Sequence, residues 1–282
     1  MGDIALYVCC HRESEIPEHP LLRPIQVGAT LAERRFPGFL YDDDGENISK
    51  WNRAYCELTA QYWAWKNSGA EYCGFFHYRR FLYPDTEARR PYRLSLMPTE
   101  TTLKDLGYDH FDQLIRQYDL ILPMREEMFV PVRQHYAEAP FHHGEDLTRM
   151  ERIIAELCPN DAAAADVYLS GTAQYFGNIF IMRRSVFEVY CAWLFPLLEE
   201  FDRRTDTNGW SPQETRVDGY LAERLLGVFV QAYGGTLKTL ELPRVMFTGK
   251  DARFRRQLLY FCLPPGTKRR AAVKRAEQRW KS

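Results

Sequence analysis

His77, Tyr78, Arg79 and Arg80 follow directly on an apolar run, Tyr72-Cys73-Gly74-Phe75-Phe76, in the stretch EYCGFFHYRRFLYP of residues 71–84. A short aromatic run of this kind reads as a buried strand. Ending it in three potential cations concentrates positive charge at a strand's carboxyl end, the edge where α/β proteins gather their ligands. The chemistry this predicts is recognition of an anion in a cleft. The competing readings are an ion pair beneath the sheet for either arginine and a hydrogen-bonded core imidazole for His77.

The elements that must position these groups are legible from periodicity. Ile4 to Val8 reads as a first buried strand, running into the polar turn His11-Arg12-Glu13, and a proline-containing loop follows. Tyr41 to Asn47 is turn chemistry leading to Ser49 as an N-cap, and a helix is predicted over residues 50–67. On it Trp51, Tyr55, Leu58, Tyr62 and Trp65 form one apolar stripe. Residues 85–108 read as a polar excursion. Helices are expected at His110 to Gln117, Glu145 to Leu157, Val186 to Arg203 and Gln213 to Ala232. Strands are expected at Asp119 to Pro123, Tyr175 to Met182 and, as the last one, Leu237 to Leu242. Strands alternating with helices predict an α/β fold, a mainly parallel Rossmann-type sheet with helices on both faces.

With 282 residues, 45% of them apolar, the chain supports one large α/β unit with a sizeable core. A single domain is expected over residues 1–249, with 250–282 as a basic segment. That segment holds eleven Lys and Arg against two acids, net +9, leaving −10 for the rest. Seven cysteines, odd in number and without C-x-x-C spacing, read as reduced thiols and imply neither zinc nor a disulfide framework. The amino terminus has too short an apolar stretch and an acid where a signal peptide wants Lys or Arg, and no run reaches the length of a spanning helix. The expected location is cytoplasmic, with peripheral attachment to the inner face of the membrane as an option.

The run GENISKWNRAYCELTAQYWAWKNSGAEYCGFFHYRRFL closely resembles the core signature of a bacterial family of capsular and exopolysaccharide biosynthesis proteins. That family is catalogued as a domain of unknown function and regarded as GT-A-type glycosyltransferases, some relatives being galactofuranosyltransferases. CCHRE, RPIQVGA, FHHGEDL, GNIFIMRRSVFEVYCAWLF and RVDGYLAERLL match in family order, across residues 5–245. The resemblance implies a GT-A-like fold and transfer of a sugar from a UDP-sugar, UDP-galactofuranose being one donor it suggests. The acceptor would be a growing capsular, exopolysaccharide or lipid-linked glycan. Many GT-A transferases place Asp-x-Asp and a divalent cation where this chain has His77 to Arg80. Two planar guanidinium groups can pair several phosphate oxygens, so Arg79 and Arg80 are expected on the donor diphosphate with no metal. Asp42-Asp43-Asp44 lies in a turn before a helix and reads as a solvated turn rather than a metal site.

Direct displacement at a sugar needs a carboxylate to take the acceptor's proton. Asp146, after His142-His143-Gly144-Glu145 at a helix start, is the first candidate, with helix capping as its alternative. Glu223 is the rival base. It shares a helix face with Arg216, seven residues earlier, where a structural salt bridge is an equal reading. Asn178, polar inside a strand-like run, needs a partner if buried. Asn178, Arg216 and His142 are assigned to substrate positioning, and His11, Gln26 and Gly28 to the border of the nucleotide. A zinc site at His142, His143 and Asp146 is discounted, because adjacent histidines do not face one site on a helix. A non-catalytic nucleotide-sugar or glycan-binding protein is the rival from another class. Phosphoester hydrolysis and nucleic-acid binding lack their motifs.

The tail GTKRRAAVKRAEQRWKS carries seven basic residues and one acid. Lys and Arg near an anionic bilayer contribute about 1 kcal/mol each, an attraction that salt screens. A solvated helix is the alternative. Deleting residues 266–282 is expected to abolish sedimentation with anionic vesicles and spare activity on a soluble acceptor; equal sedimentation of both proteins would leave the tail without a membrane role.

Overall fold

The computed structural model describes residues 2–249, and Ala272 besides. The basic segment 250–282, and with it the expected membrane contact, otherwise lies outside the described residues. The chain opens with strand β1 (Ile4–Cys10), β2 (Leu22–Gln26) and β3 (Leu40–Tyr41), then helices α1 (Asn52–Tyr55) and α2 (Leu58–Asn67). Strands β4 (Tyr72–His77), β5 (Arg80–Leu82) and β6 (Tyr92–Ser95) follow, then α3 (Glu100–Asp105), α4 (Phe111–Ile115), β7 (Leu120–Pro123) and β8 (Glu126–Glu127). Helices α5 (Val132–Ala137), α6 (Gly144–Leu157) and α7 (Ala162–Ser170) lead to β9 (Ala173–Gln174) and β10 (Phe180–Arg183). Helices α8 (Arg184–Arg203) and α9 (Val217–Tyr233) precede β11 (Thr239–Leu242) and β12 (Arg244–Phe247).

The main sheet runs β11-β7-β10-β4-β1-β2-β3, with β12 joined to β5 and β6 beside it. Along this path β10 is antiparallel to both neighbours and the other strands share one direction. The sheet is thus mainly parallel, as the alternation of elements predicted. Side chains leave a strand alternately to its two faces, and β1 shows the consequence. Ala5, Tyr7 and Cys9 enter a core with residues of α2, α6, α8 and α9, whereas Ile4, Leu6, Val8 and Cys10 enter a second core with Phe111 and Ile115 of α4. All seven residues of β1 are buried, so the strand must be covered on both faces.

Several expectations need correction. The helix over 50–67 is broken: Cys56, at φ 52° and ψ −127°, separates α1 from α2. Ser49 is no N-cap; it lies in a 3₁₀ turn and donates its hydroxyl to Asp42. The proline-containing loop holds a strand, β2, which tolerates Pro24 because β3 pairs only with Ile25 and Gln26, leaving Pro24 without a neighbour on that side. Residues 85–108 contain β6 and α3, the latter capped by Thr99. The strand expected from Tyr175 begins only at Phe180, after left-handed Gly177 and Asn178 at φ 92° and 49°. Leu237 to Leu242 is followed by a further strand, β12.

Asp42 is not solvated. It is fully buried and accepts hydrogen bonds from the Gly28 and Ala29 amides at 2.7 and 2.9 Å, from Ser49 Oγ at 2.6 Å and from Thr59 Oγ1 at 2.5 Å. One carboxylate therefore ties the end of β2 to the start of α2. Only a glycine relaxes easily into the φ of 67° at position 28, and a Cβ there would meet Asn52 Oδ1 at 2.6 Å. Hydrogen bonds to a buried charge contribute more than neutral ones, and their loss strands four donors. Asp42→Ala is expected to cost about 3 kcal/mol, read as a lower urea midpoint. An unchanged midpoint would contradict this role.

Candidate functional site

The carboxyl ends of β1 and β4 lie side by side, with Cys9 opposite His77. Beyond them the chain supplies His11 and Arg12 on one side and the Tyr78-Arg79 turn into β5 on the other. His77 Nδ1 accepts the Arg79 amide at 3.2 Å, which folds the turn over the imidazole. Burial, followed by the charges of Arg80, Arg79, His11 and Arg216, holds His77 well below the usual histidine range. His11 is also lowered, by burial and then by Arg12, Arg216 and Arg79. The positive charge at this edge therefore belongs to arginine. The guanidinium groups of Arg12 and Arg79 lie 5.0 and 5.2 Å from the ring centre of buried Tyr78. A cleft of about 480 Å³ opens here, lined by Arg12, Tyr78, Arg79, Pro98 and Phe247 among others.

Among the described residues, Arg12, Arg79, Arg80 and Arg216 form no ion pair. Arg133, Arg183, Arg204 and Arg244, by contrast, each meet a carboxylate. Arg80 reaches Gly177, where an added Cβ would stand 3.7 Å from its Nη1. Burial and then the neighbouring Arg244 lower its pKa, from a value so high that it stays charged. Arg216 Nε lies 3.3 Å from Cys56 Sγ, and its guanidinium is 5.7 Å from the Tyr220 ring centre. Like charges held together with no carboxylate in direct ion-pair contact are costly, and an anion would relieve that cost.

Two carboxylates face these cations. Glu223 accepts the Gly177 amide at 3.0 Å with one oxygen and Arg224 Nη1 at 2.9 Å with the other. Glu57, directly after the break at Cys56, accepts Asn178 Nδ2 at 2.8 Å. Asn178 is buried, and the same nitrogen donates to the Gly219 carbonyl at 3.0 Å. Burial raises Glu57 above its ordinary range; the Asn178 bond opposes this, as does Arg216, while Glu223 adds to it. Glu57 and Arg12 escaped sequence reasoning. Glu57 resembles any charge on a helix face, whereas Arg12 obeys the strand-end rule that singled out Arg79.

The remaining expected residues fall elsewhere. Asp146 is 3% exposed and pairs with Arg149 at 3.3 Å; burial raises its carboxyl, and the charges acting on it are those of His143, Arg149 and Glu145. His142 is packed between the rings of Tyr136 and Tyr220, at 4.5 and 4.1 Å, and burial with Arg224 pulls it down to about 3. His143 meets Glu214 at 3.2 Å. Gln26 spends both ends of its amide on the Arg34 carbonyl and the Phe36 amide, and the Gly28 amide is held by Asp42. Among the described residues no cluster of three His, Cys, Asp or Glu is placed to share an ion. A larger hollow of about 790 Å³ beside α5 and α6 shares no lining residue with the strand-end cleft.

Residues 5–234 match a family described as Domain of unknown function (DUF4422). No curated protein matches the chain. Among solved structures, the apo form of the WbbM bifunctional glycosyltransferase is similar, with a TM-score of 0.82 and 28% identity. The match covers 87% of this chain and 45% of that one, so the chain spans less than half of its relative's length. The fold is GT-A-like.

Asp218 in the first turn of α9 is fully buried beside Asp202, which accepts the Tyr55 hydroxyl at 2.8 Å. Burial and then Asp202 push Asp218 well above the carboxylate range. Its folded pKa thus exceeds its unfolded one, so the stability it contributes is complete at acid pH and is lost as pH rises through the folded pKa. Asp218→Asn is expected to raise the thermal midpoint at pH 8 and leave it nearly unchanged at pH 4. A midpoint lowered equally at both would show that the carboxylate is needed as such.

Proposed function

The chain belongs to the family described as Domain of unknown function (DUF4422), and on that footing we propose that it is a glycosyltransferase using a UDP-sugar donor, UDP-galactofuranose among the candidates, to extend a capsular, exopolysaccharide or lipid-linked glycan. The observation that carries this reading is the group of four guanidiniums, Arg12, Arg79, Arg80 and Arg216, without ion pairs among the described residues at the carboxyl edge of the sheet. The likeness to a bifunctional glycosyltransferase supports it. A donor diphosphate brings negative charge to the cleft, and more develops on it as the sugar departs. Arginines fixed in advance stabilise that charge without reorganising. The neutral imidazoles of His11 and His77 then offer hydrogen bonds rather than charge.

In this reading Arg79 and Arg80 hold the diphosphate, Arg12 and Arg216 flank it, and His142 supports the acceptor side through Tyr220. Arg79→Ala or Arg80→Ala is expected to weaken UDP binding by about 1.5–3 kcal/mol, the range for hydrogen bonds to charged groups, with the fold intact. Calorimetry on folded variants measures this. Unchanged affinity in both would reject the site, and binding of CDP- or GDP-sugars in place of UDP-sugars would overturn the donor.

A further inference from the structure

Glu57 and Glu223 both lie close enough to Arg80 to raise its pKa, outside the residues that line the strand-end cleft, yet their surroundings suit them to different work. Glu223 has both oxygens engaged, one by the Gly177 amide and one by Arg224. It is a brace for the Gly177 turn and a counter-charge. Glu57 accepts Asn178 Nδ2 through one oxygen, and besides that bond and one from its own backbone amide no other donor among the described residues bonds the carboxylate. It remains partly accessible, at the point where α1 and α2 separate. Asp146 is 3% exposed and ion-paired with Arg149.

We infer that Glu57 is the base that takes the acceptor's proton, with Asn178 as its positioning residue. The inference rests on the transferase reading and adds to it the reacting carboxylate. In the step, the acceptor O–H bond breaks and its proton passes to the Glu57 carboxylate. The freed electron pair forms the bond to the donor's anomeric carbon. The bond from that carbon to the diphosphate oxygen breaks, and its pair leaves on the nucleoside diphosphate beside the arginines. Direct displacement of this kind inverts the anomeric centre.

Asn178 determines where the carboxylate points. Its left-handed backbone turns the side chain back, and Nδ2 is shared between the Glu57 carboxylate and the Gly219 carbonyl. The titratable groups around Glu57 come from each neighbouring element: the thiols of Cys9 in β1 and Cys56 before it in sequence, both raised by burial, Arg80 of β5, Arg216 ahead of α9, and Tyr220 and Glu223 on it. Burial and Glu223 make the carboxylate more basic than an exposed glutamate, which suits a base working near neutrality.

The test compares wild type, Glu57→Gln, Asn178→Gly, Glu223→Gln and Asp146→Asn for UDP affinity and for turnover of the best nucleotide sugar in a panel. Glu57→Gln is expected to bind UDP as wild type does and to lose about 10²–10⁴-fold in kcat. Asn178→Gly accepts the positive φ and removes the hydrogen bond to the carboxylate, so the acid limb of its kcat profile is expected to move to higher pH. An active wild type with an equally active Glu57→Gln would overturn the inference and leave the transferase reading standing. So would loss confined to Asp146→Asn or Glu223→Gln, equal loss of UDP affinity and turnover in Glu57→Gln, or retention at the anomeric centre. Wild type inactive with every nucleotide sugar would remove the transferase reading itself and the inference with it.

Discussion

The Asp42 carboxylate is the constraint on which the cleft's near wall depends. It takes two backbone amides after β2 and two hydroxyls, one of them from Thr59 in α2. Thr59 Oγ1 in turn accepts Asn52 Nδ2, which also donates to the Cys56 carbonyl at 2.6 Å. A buried charge thereby reaches the helix break through two polar side chains and fixes a backbone conformation that cysteine adopts only under duress. Without that anchorage a helix continuing through Cys56 would carry Glu57 to another azimuth.

The single reversed strand of the main path has a comparable role on the far wall. Because β10 opposes β4, the segment entering it, Gly177-Asn178, arrives at the edge where β1 and β4 leave. A parallel strand in that place would deliver its carboxyl end there. The turn can thus present one amide to Glu223 and one side-chain nitrogen to Glu57 within two residues. Opposite it stand Arg79, Arg80 and Arg216, which make no direct ion pair among the described residues although Glu57 and Glu223 act on Arg80, and their charges add to burial in lowering His11 and His77.

Much of the fold was legible in the residues. β1, β4, β7, α6, α8 and α9 are long or strongly apolar enough for their periods to speak, and the strand-end rule placed Arg79 and Arg80 just beyond β4, where the structure has them. The break at Cys56 was hidden because Tyr55, Leu58 and Tyr62 keep helical spacing across it, so the pattern of burial survives a change of backbone. β2 was masked by Pro24, whose missing donor matters only on a side left unpaired. Asn178 was singled out as a polar residue needing a partner, though within a strand that the structure starts two residues later. Asp42 shows the limit most plainly: three successive aspartates read as solvent-facing, yet the first faces inward because the donors that satisfy it come from distant segments.

The pairing of Phe180 with Phe75 spans more than a third of the chain, and the groups gathered near the carboxyl ends of β1 and β4 come from positions 12, 57, 79, 178 and 216. Contacts so remote in sequence carry a loop-closure cost and form late, so this group of side chains is not assembled in a partly folded chain. Any ligand held there binds only the completed molecule. Its affinity is therefore added to the global folding equilibrium, and the cleft doubles as a clasp that ligand concentration can tighten.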